Sequence, residues 1–223
     1  MTTITHDERT ASRNGRLAAD QPVVALNRRT IDRVLVAVGA VLTVVLAVAG
    51  GLLTWGSNFS KDYVDDELSS QNIVFPAAAA LEEEGRADLV GFAGEAVNTG
   101  DEAEAYASYI DGHLQGIADG TTYAELGGPQ RAAAAAVEAA QAEGASEAVT
   151  TELQAKADAI TAQRDTLFKG ETLRGLLLSA FAWSTVGRIA GIAAAGAFVA
   201  AGVLLVLVLL GLRHYRLLAA QER

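Results

Sequence analysis

The chain has 223 residues, 51% of them hydrophobic, and yet a formal net charge of −10. A soluble domain that acidic seldom carries so much apolar residue, so the two properties belong to different segments. There is no cysteine, which excludes a disulfide scaffold, thiolate zinc sites and thiol chemistry.

Residues 1–27 are polar and without periodicity, and read as a disordered tail. Two uncharged apolar runs follow, 22 residues at 34–55 and 24 residues at 189–212. A helix crosses a bilayer's hydrocarbon core with about 20 apolar residues, and lipid tolerates no open backbone amide, so both runs are expected to be transmembrane helices. Arg28, Arg29 and Arg33 precede the first run, while Arg213 and Arg216 follow the second. By the positive-inside rule these five arginines place both ends in the cytoplasm. The tails 1–33 and 213–223 carry 9 arginines against 5 acids, whereas 34–212 carries 8 basic residues against 22 acids. Arg174 and Arg188, near the outer end of the second run, pull the other way. A rival reading takes Arg28-Arg29 and Ala47-Val48-Ala49 as a signal peptide with its cleavage site. The run stays apolar through Leu52, Leu53 and Trp55, longer than a signal's ~7–15 residues, which favours an uncleaved anchor.

Gly56-Ser57-Asn58 predicts a short break, with a new helix from about Phe59. Tyr63, Leu68, Phe75 and Leu81 supply its apolar positions, and Pro76 predicts a kink or restart near Phe75. A short helix is expected over 87–97, its apolar face made by Leu89, Val90, Phe92 and Val97. Thr99 and Glu102 have capping-box spacing and open a helix to about Ala118, with Tyr106, Tyr109, Ile110, Leu114 and Ile117 on one side. A loop at 119–128 leads to Pro129 in the first turn of an alanine-rich helix that ends at Gly144. Ser146 is placed to cap a longer helix ending near Gly170, with Val149, Leu153, Ala157, Ile160 and Leu167 as its stripe. The stretch 171–188 stays apolar apart from its charges at Glu171, Arg174 and Arg188, and reads as an interfacial helix. Trp183 and Trp55 are its matching interface anchors.

The expected fold is all-α: two transmembrane helices flanking an extracytoplasmic antiparallel helical bundle. The domain plan is a cytoplasmic tail at 1–33, spans at 34–55 and 189–212, an outer domain at 56–188 and a cytoplasmic tail at 213–223. In layout this resembles the four-helix sensor domains of bacterial chemoreceptors and kinases. The segment Gly170-Glu171-Thr172-Leu173-Arg174-Gly175-Leu176-Leu177-Leu178, with the span after it, resembles two-span membrane proteins of actinobacteria. That resemblance implies a bacterial lineage and no particular activity.

Gly39, Thr43, Ala47 and Gly51 recur at every fourth position of the first span, and Gly187, Gly191 and Ala195 do so in the second, with Gly196 and Ala200 beside them. Small residues let helices approach closely in lipid, so these are expected to pack the two spans together, or to dock a second copy or a partner. The acidic clusters 65–67, 82–84 and 101–104 lack the calcium-loop pattern and read as solvated helix faces. His113 lies beside Tyr109, Ile110 and Leu114, and is expected to be a partly buried, hydrogen-bonded ring rather than a metal ligand. No nucleophile elbow, zinc-protease or phosphate-loop motif is present, and the acidic domain disfavours nucleic acid. The expectation is a non-enzymatic accessory or scaffold subunit, without cofactor or metal, whose partners are the lipid bilayer and a membrane protein or its own copies. The alternative is a ligand sensor that signals through a second protein.

Overall fold

A computed structural model of the chain describes residues 28–221, with side-chain surroundings from 30 to 217. The tail 1–27 lies outside these residues. Among the described residues there are five α-helices: α1 (Arg28–Ser69), α2 (Ala78–Glu83), α3 (Gly100–Ile117), α4 (Gly127–Ala142) and α5 (Glu147–Gln221). A 3₁₀ helix occupies Ala87–Phe92 between α2 and α3. Among the described residues the only strand-like feature is an isolated antiparallel bridge, Val74 to Ala96, so the chain is all-helical. It divides into two compact units, Met1–Leu46 with Val199–Arg223, and Ala47–Phe198.

In the first unit α1 and α5 run antiparallel. Arg33 donates from Nε to the Tyr215 hydroxyl at 3.1 Å, and further along Gly39 packs on Val208 and Gly211 on Val36. Most large apolar side chains here point away from the contact; Leu35 is 64% and Leu207 58% exposed.

The second unit has a core. Val64 and Leu68 of α1, Phe75, Val97, Ala103 and Ala107 of α3, and Leu177 of α5 form one buried cluster. Phe75 is its centre, 5.3 Å from the Phe92 ring and 5.1 Å edge-on to Tyr106. A second cluster joins Leu114, Ala118, Leu126 and Leu167. Along α5, Ala157 and Leu167 are buried and Leu153 and Ile160 half-buried, while Val149 is exposed.

Local sequence rules explain several boundaries. Thr99 caps α3 reciprocally: the Glu102 amide donates to Thr99 Oγ1 at 3.3 Å, and the Thr99 amide to Glu102 Oε2 at 2.8 Å. Gly144, at φ +69°, turns the chain after α4 in the left-handed region that suits glycine.

Four expected boundaries are corrected. The break at Gly56-Ser57-Asn58 is absent, and α1 continues to Ser69. Ser57 lies against Gly191 and Ser60 against Gly187, with Ser60 Oγ donating to the Trp183 carbonyl at 2.6 Å. That packing outweighs a helix-propensity penalty of about 1 kcal/mol for glycine. The helix expected to run from Phe59 towards Phe75 stops at Ser69, where Asn72 takes φ +51° and the chain turns extended. The restart near Pro76 comes at Ala78, the start of α2. The helix expected over 87–97 is only the 3₁₀ helix to Phe92, because Gly94 at φ +74° redirects the chain to pair with 73–75. In that pairing the Phe75 amide donates to Glu95 O and the Val97 amide to Ile73 O, both at 2.9 Å. Pro76, which has no amide hydrogen, only accepts, from Gly94. Finally, α5 does not end near Gly170. A side chain there would collide with Leu114, so this glycine permits close packing inside a helix and is no terminator.

Candidate functional site

The seam between α1 and α5 contains the small residues that the sequence brings forward, but with a different period. In α1 the packed positions are Val36, Gly39, Thr43 and Leu46 in the first unit, and Gly50, Leu53, Ser57, Ser60 and Val64 in the second. They alternate three and four apart. Gly39 and Thr43 therefore lie on the seam, whereas Ala47 and Gly51 are exposed, and a methyl added at Gly51 would meet nothing within 4 Å. In α5, Gly187 is buried and Gly191 half-buried on the seam, and Ala194, 4% exposed, takes the place expected for the exposed Ala195. Gly196 and Ala200 do not supply the seam either, since a methyl at Gly196 would be free and Ala200 is exposed.

The reason is geometric. Each step of four residues advances about 40° beyond a full turn of a 3.6-residue helix, so three such steps rotate the stripe by roughly 120°. Two helices in long contact follow a seven-residue repeat instead. Gly187, Ala194, Ala201 and Val208 are buried at that spacing. A methyl at Gly187 would lie 2.8 Å from Ser60 Cβ, one at Gly50 3.0 Å from the Phe198 ring, and one at Gly39 2.8 Å from Val208 Cγ2. The single-residue shift to Gly50 was readable from Thr43, Gly50 and Ser57, which stand seven apart.

Arg28 and Arg29 open α1, and Arg33, Arg213 and Arg216 are exposed on the helix segments of the first unit. Trp55 and Trp183, both in the second unit, are 67% and 51% exposed. Trp55 begins a ladder of stacked rings one turn apart, with centroids 5.7 Å to Phe59 and 6.1 Å from there to Tyr63.

Two grooves flank α1 within the second unit. One, of about 450 Å³, is polar: Lys61 and Asp65 of α1 face Thr99, Asp101 and Arg188, and Arg188 bonds Asp101 at 2.8 Å. The other, of about 300 Å³, is apolar, with Tyr63, Leu68, Leu173, Leu176 and Trp183 among its walls. Its only charged lining residue is Glu67, which makes no ion pair among the described residues. Sequence reasoning missed both grooves, because they depend on the register between segments more than 100 residues apart.

The remaining polar groups are structural. Arg86 grips Asp88 with two bonds of 2.9 and 3.0 Å and donates to the Ser108 carbonyl at 2.7 Å, tying the 3₁₀ helix to α3. The side-chain bond from Arg86 lowers the Asp88 carboxyl below its ordinary range. Glu125 is lowered likewise, chiefly by the Thr122 amide and then by its hydroxyl, each 2.8 Å away. Burial raises the Tyr106 and Tyr109 phenols. Arg164 stacks 4.1 Å over Tyr123 and donates to Gln130 at 2.8 Å, closing the loop before α4 onto α5. His113, expected to be partly buried, is exposed, its Nδ1 3.2 Å from the Tyr109 carbonyl and its Nε2 3.7 Å from Glu84. Among the described residues no three His, Asp or Glu side chains gather as a metal site.

The chain matches no family model, no curated protein and no solved structure.

Proposed function

We propose that the chain is a multi-pass protein of the cell membrane, crossing the bilayer twice with both termini in the cytoplasm. Its acidic domain lies outside and binds a protein partner, as a non-enzymatic accessory or scaffold subunit. One observation carries the membrane part of this reading. Both long helices contain a stretch apolar enough to cross a bilayer, and only 6% of that stretch in α1 and 11% in α5 is buried. A soluble core helix hides its apolar residues; these present Val34, Leu35, Val41, Ile192, Val199 and Leu207 outward. The seam carries Gly39, Gly50, Gly187 and Ala194 among its closest contacts while large residues face outward, a distribution that lipid-embedded helix pairs favour.

Orientation rests on Arg28, Arg29, Arg33, Arg213 and Arg216. The two arginines that counted against it are both paired with acids, Arg188 with Asp101 and Arg174 with Asp111 and Glu171. The partner reading rests on the acidic, solvated surface and on the absence of catalytic motifs from the sequence. The alternative, a sensor of the chemoreceptor type, draws on the bundle layout alone. Purification of the full chain in mild detergent separates the two. A stoichiometric second protein is expected. A lone monomer or homodimer, raised in melting temperature by a small molecule, overturns the subunit reading in favour of the sensor.

A further inference from the structure

The apolar groove of the second unit lies where a membrane helix has no reason to stay apolar. Ser60 contacts Gly187 and bonds to Trp183, which sets the register: going outward, Lys61 on α1 stands beside the turn before Gly187 on α5. Over its next two turns α1 becomes charged, with Lys61, Asp62, Asp65, Asp66 and Glu67. Over the matching turns the only charge on α5 is Arg188 at the inner end, which lines the other groove and is paired with Asp101; residues 175–187 are 13 uncharged positions, about 20 Å of helix. On the placement proposed above, on which this inference rests, the charged turns of α1 are outside the hydrocarbon. The α5 wall beside them is then beyond the reach of lipid tails, yet Leu176 is 65%, Trp183 51% and Leu173 40% exposed. Tyr63, 49% exposed, faces them from α1.

We infer that this groove is the docking site for an apolar helix of a partner protein that presents a lysine or arginine to Glu67. The apolar walls select the helix, and the unpaired carboxylate at their rim selects its charge. A second copy of this chain fits badly. The stretch 34–212 carries 22 acids against 8 basic residues, and self-docking brings two Glu67 rims together without a cation in either groove. Of the cations of this region, Lys61 and Arg188 line the other groove, and Arg174 is held by Asp111 and Glu171.

The test uses the full-length protein in its native membrane, with Leu176 replaced by a photo-reactive benzophenone amino acid and Gln141, exposed on α4, replaced likewise in a control. The expected adduct joins Leu176 to an apolar helical segment of a different protein, within one turn of a lysine or arginine. Glu67→Lys is expected to cut its yield about tenfold, and reversing the mapped basic residue to glutamate restores it. Glu67→Gln, which deletes the charge without adding one, gives the same direction should the reversal unfold the domain. An adduct with a second copy, with lipid alone, with a segment lacking a basic residue, or one insensitive to both Glu67 variants overturns the inference. So does no adduct at Leu176. If Gln141 then captures a protein, the subunit reading survives and the docking groove falls; if neither position does, both fall.

Discussion

The two units of the molecule solve the same packing problem with opposite side chains. In the unit of Met1–Leu46 and Val199–Arg223, helices meet through Gly39, Ala201 and Gly211, and bulky residues such as Leu35, Val41 and Leu209 face outward at 56–64% exposure. In Ala47–Phe198, Phe75, Leu81 and Val97 are at most 2% exposed, and charged residues such as Glu82, Glu83 and Glu104 face outward around them. In water, burying large apolar groups is the main favourable term, so the large residues go inside. In lipid that term vanishes between helices, and close backbone approach by small residues takes its place. That contrast supports the proposed placement of the two long apolar helices in lipid.

Substitutions can break that contrast. Phe75→Ala has the largest expected effect, a loss of about 3–5 kcal/mol, because it empties the centre of the aromatic cluster. Hydrogen exchange should show lost protection in α2 and α3 while residues 30–46 of α1 remain protected. Equal loss in both places would mean that the units are not energetically separate.

Next comes the seam. Gly187→Val drives a side chain into Ser60 and should cost about 1–3 kcal/mol, read as a lowered unfolding midpoint in detergent. Gly51→Val meets open space and should stay within about 0.5 kcal/mol. Matching effects at the two glycines would restore the every-fourth-residue stripe and discard the seven-residue seam.

The smallest effect is electrostatic and confined to the second unit. Asp88 and Glu125 are held below the ordinary carboxylate range in the folded state, by Arg86 and by Thr122. Their contribution is therefore complete above the unfolded carboxylate value of about 4 and is lost as pH falls through the lowered folded values. Both groups are exposed to water, so the slope should be shallow. Acid titration of the double variant Asp88→Asn, Glu125→Gln should flatten that part of the melting-temperature profile; an unchanged profile assigns the acid loss elsewhere.

Short-range chemistry was legible in the sequence, and register was not. The Thr99–Glu102 capping box and the glycine turn at 144 depend on residues within one or two turns of each other, and each apolar run is a contiguous stretch of sequence. Gly56 and Gly170 misled because a glycine's local meaning is a break, whereas here each stands inside a helix, and the collision a methyl at Gly170 would make with Leu114 shows why that one is there. Ala47, Gly51 and Ala195 misled because a stripe counted in fours drifts off the contact. The apolar groove was invisible for a third reason: Glu67 and Leu176 look ordinary until the Ser60–Gly187 contact sets α5 beside α1.

The proposed two-span placement can be tested directly, because the chain has no native cysteine. Single cysteines introduced as Ser12→Cys and Gln141→Cys, probed in intact cells with a membrane-impermeant maleimide, report the two sides of the membrane. Labelling is expected at 141 and, at 12, only after the cells are opened. Labelling at 12 in intact cells, or none at 141, would contradict that placement.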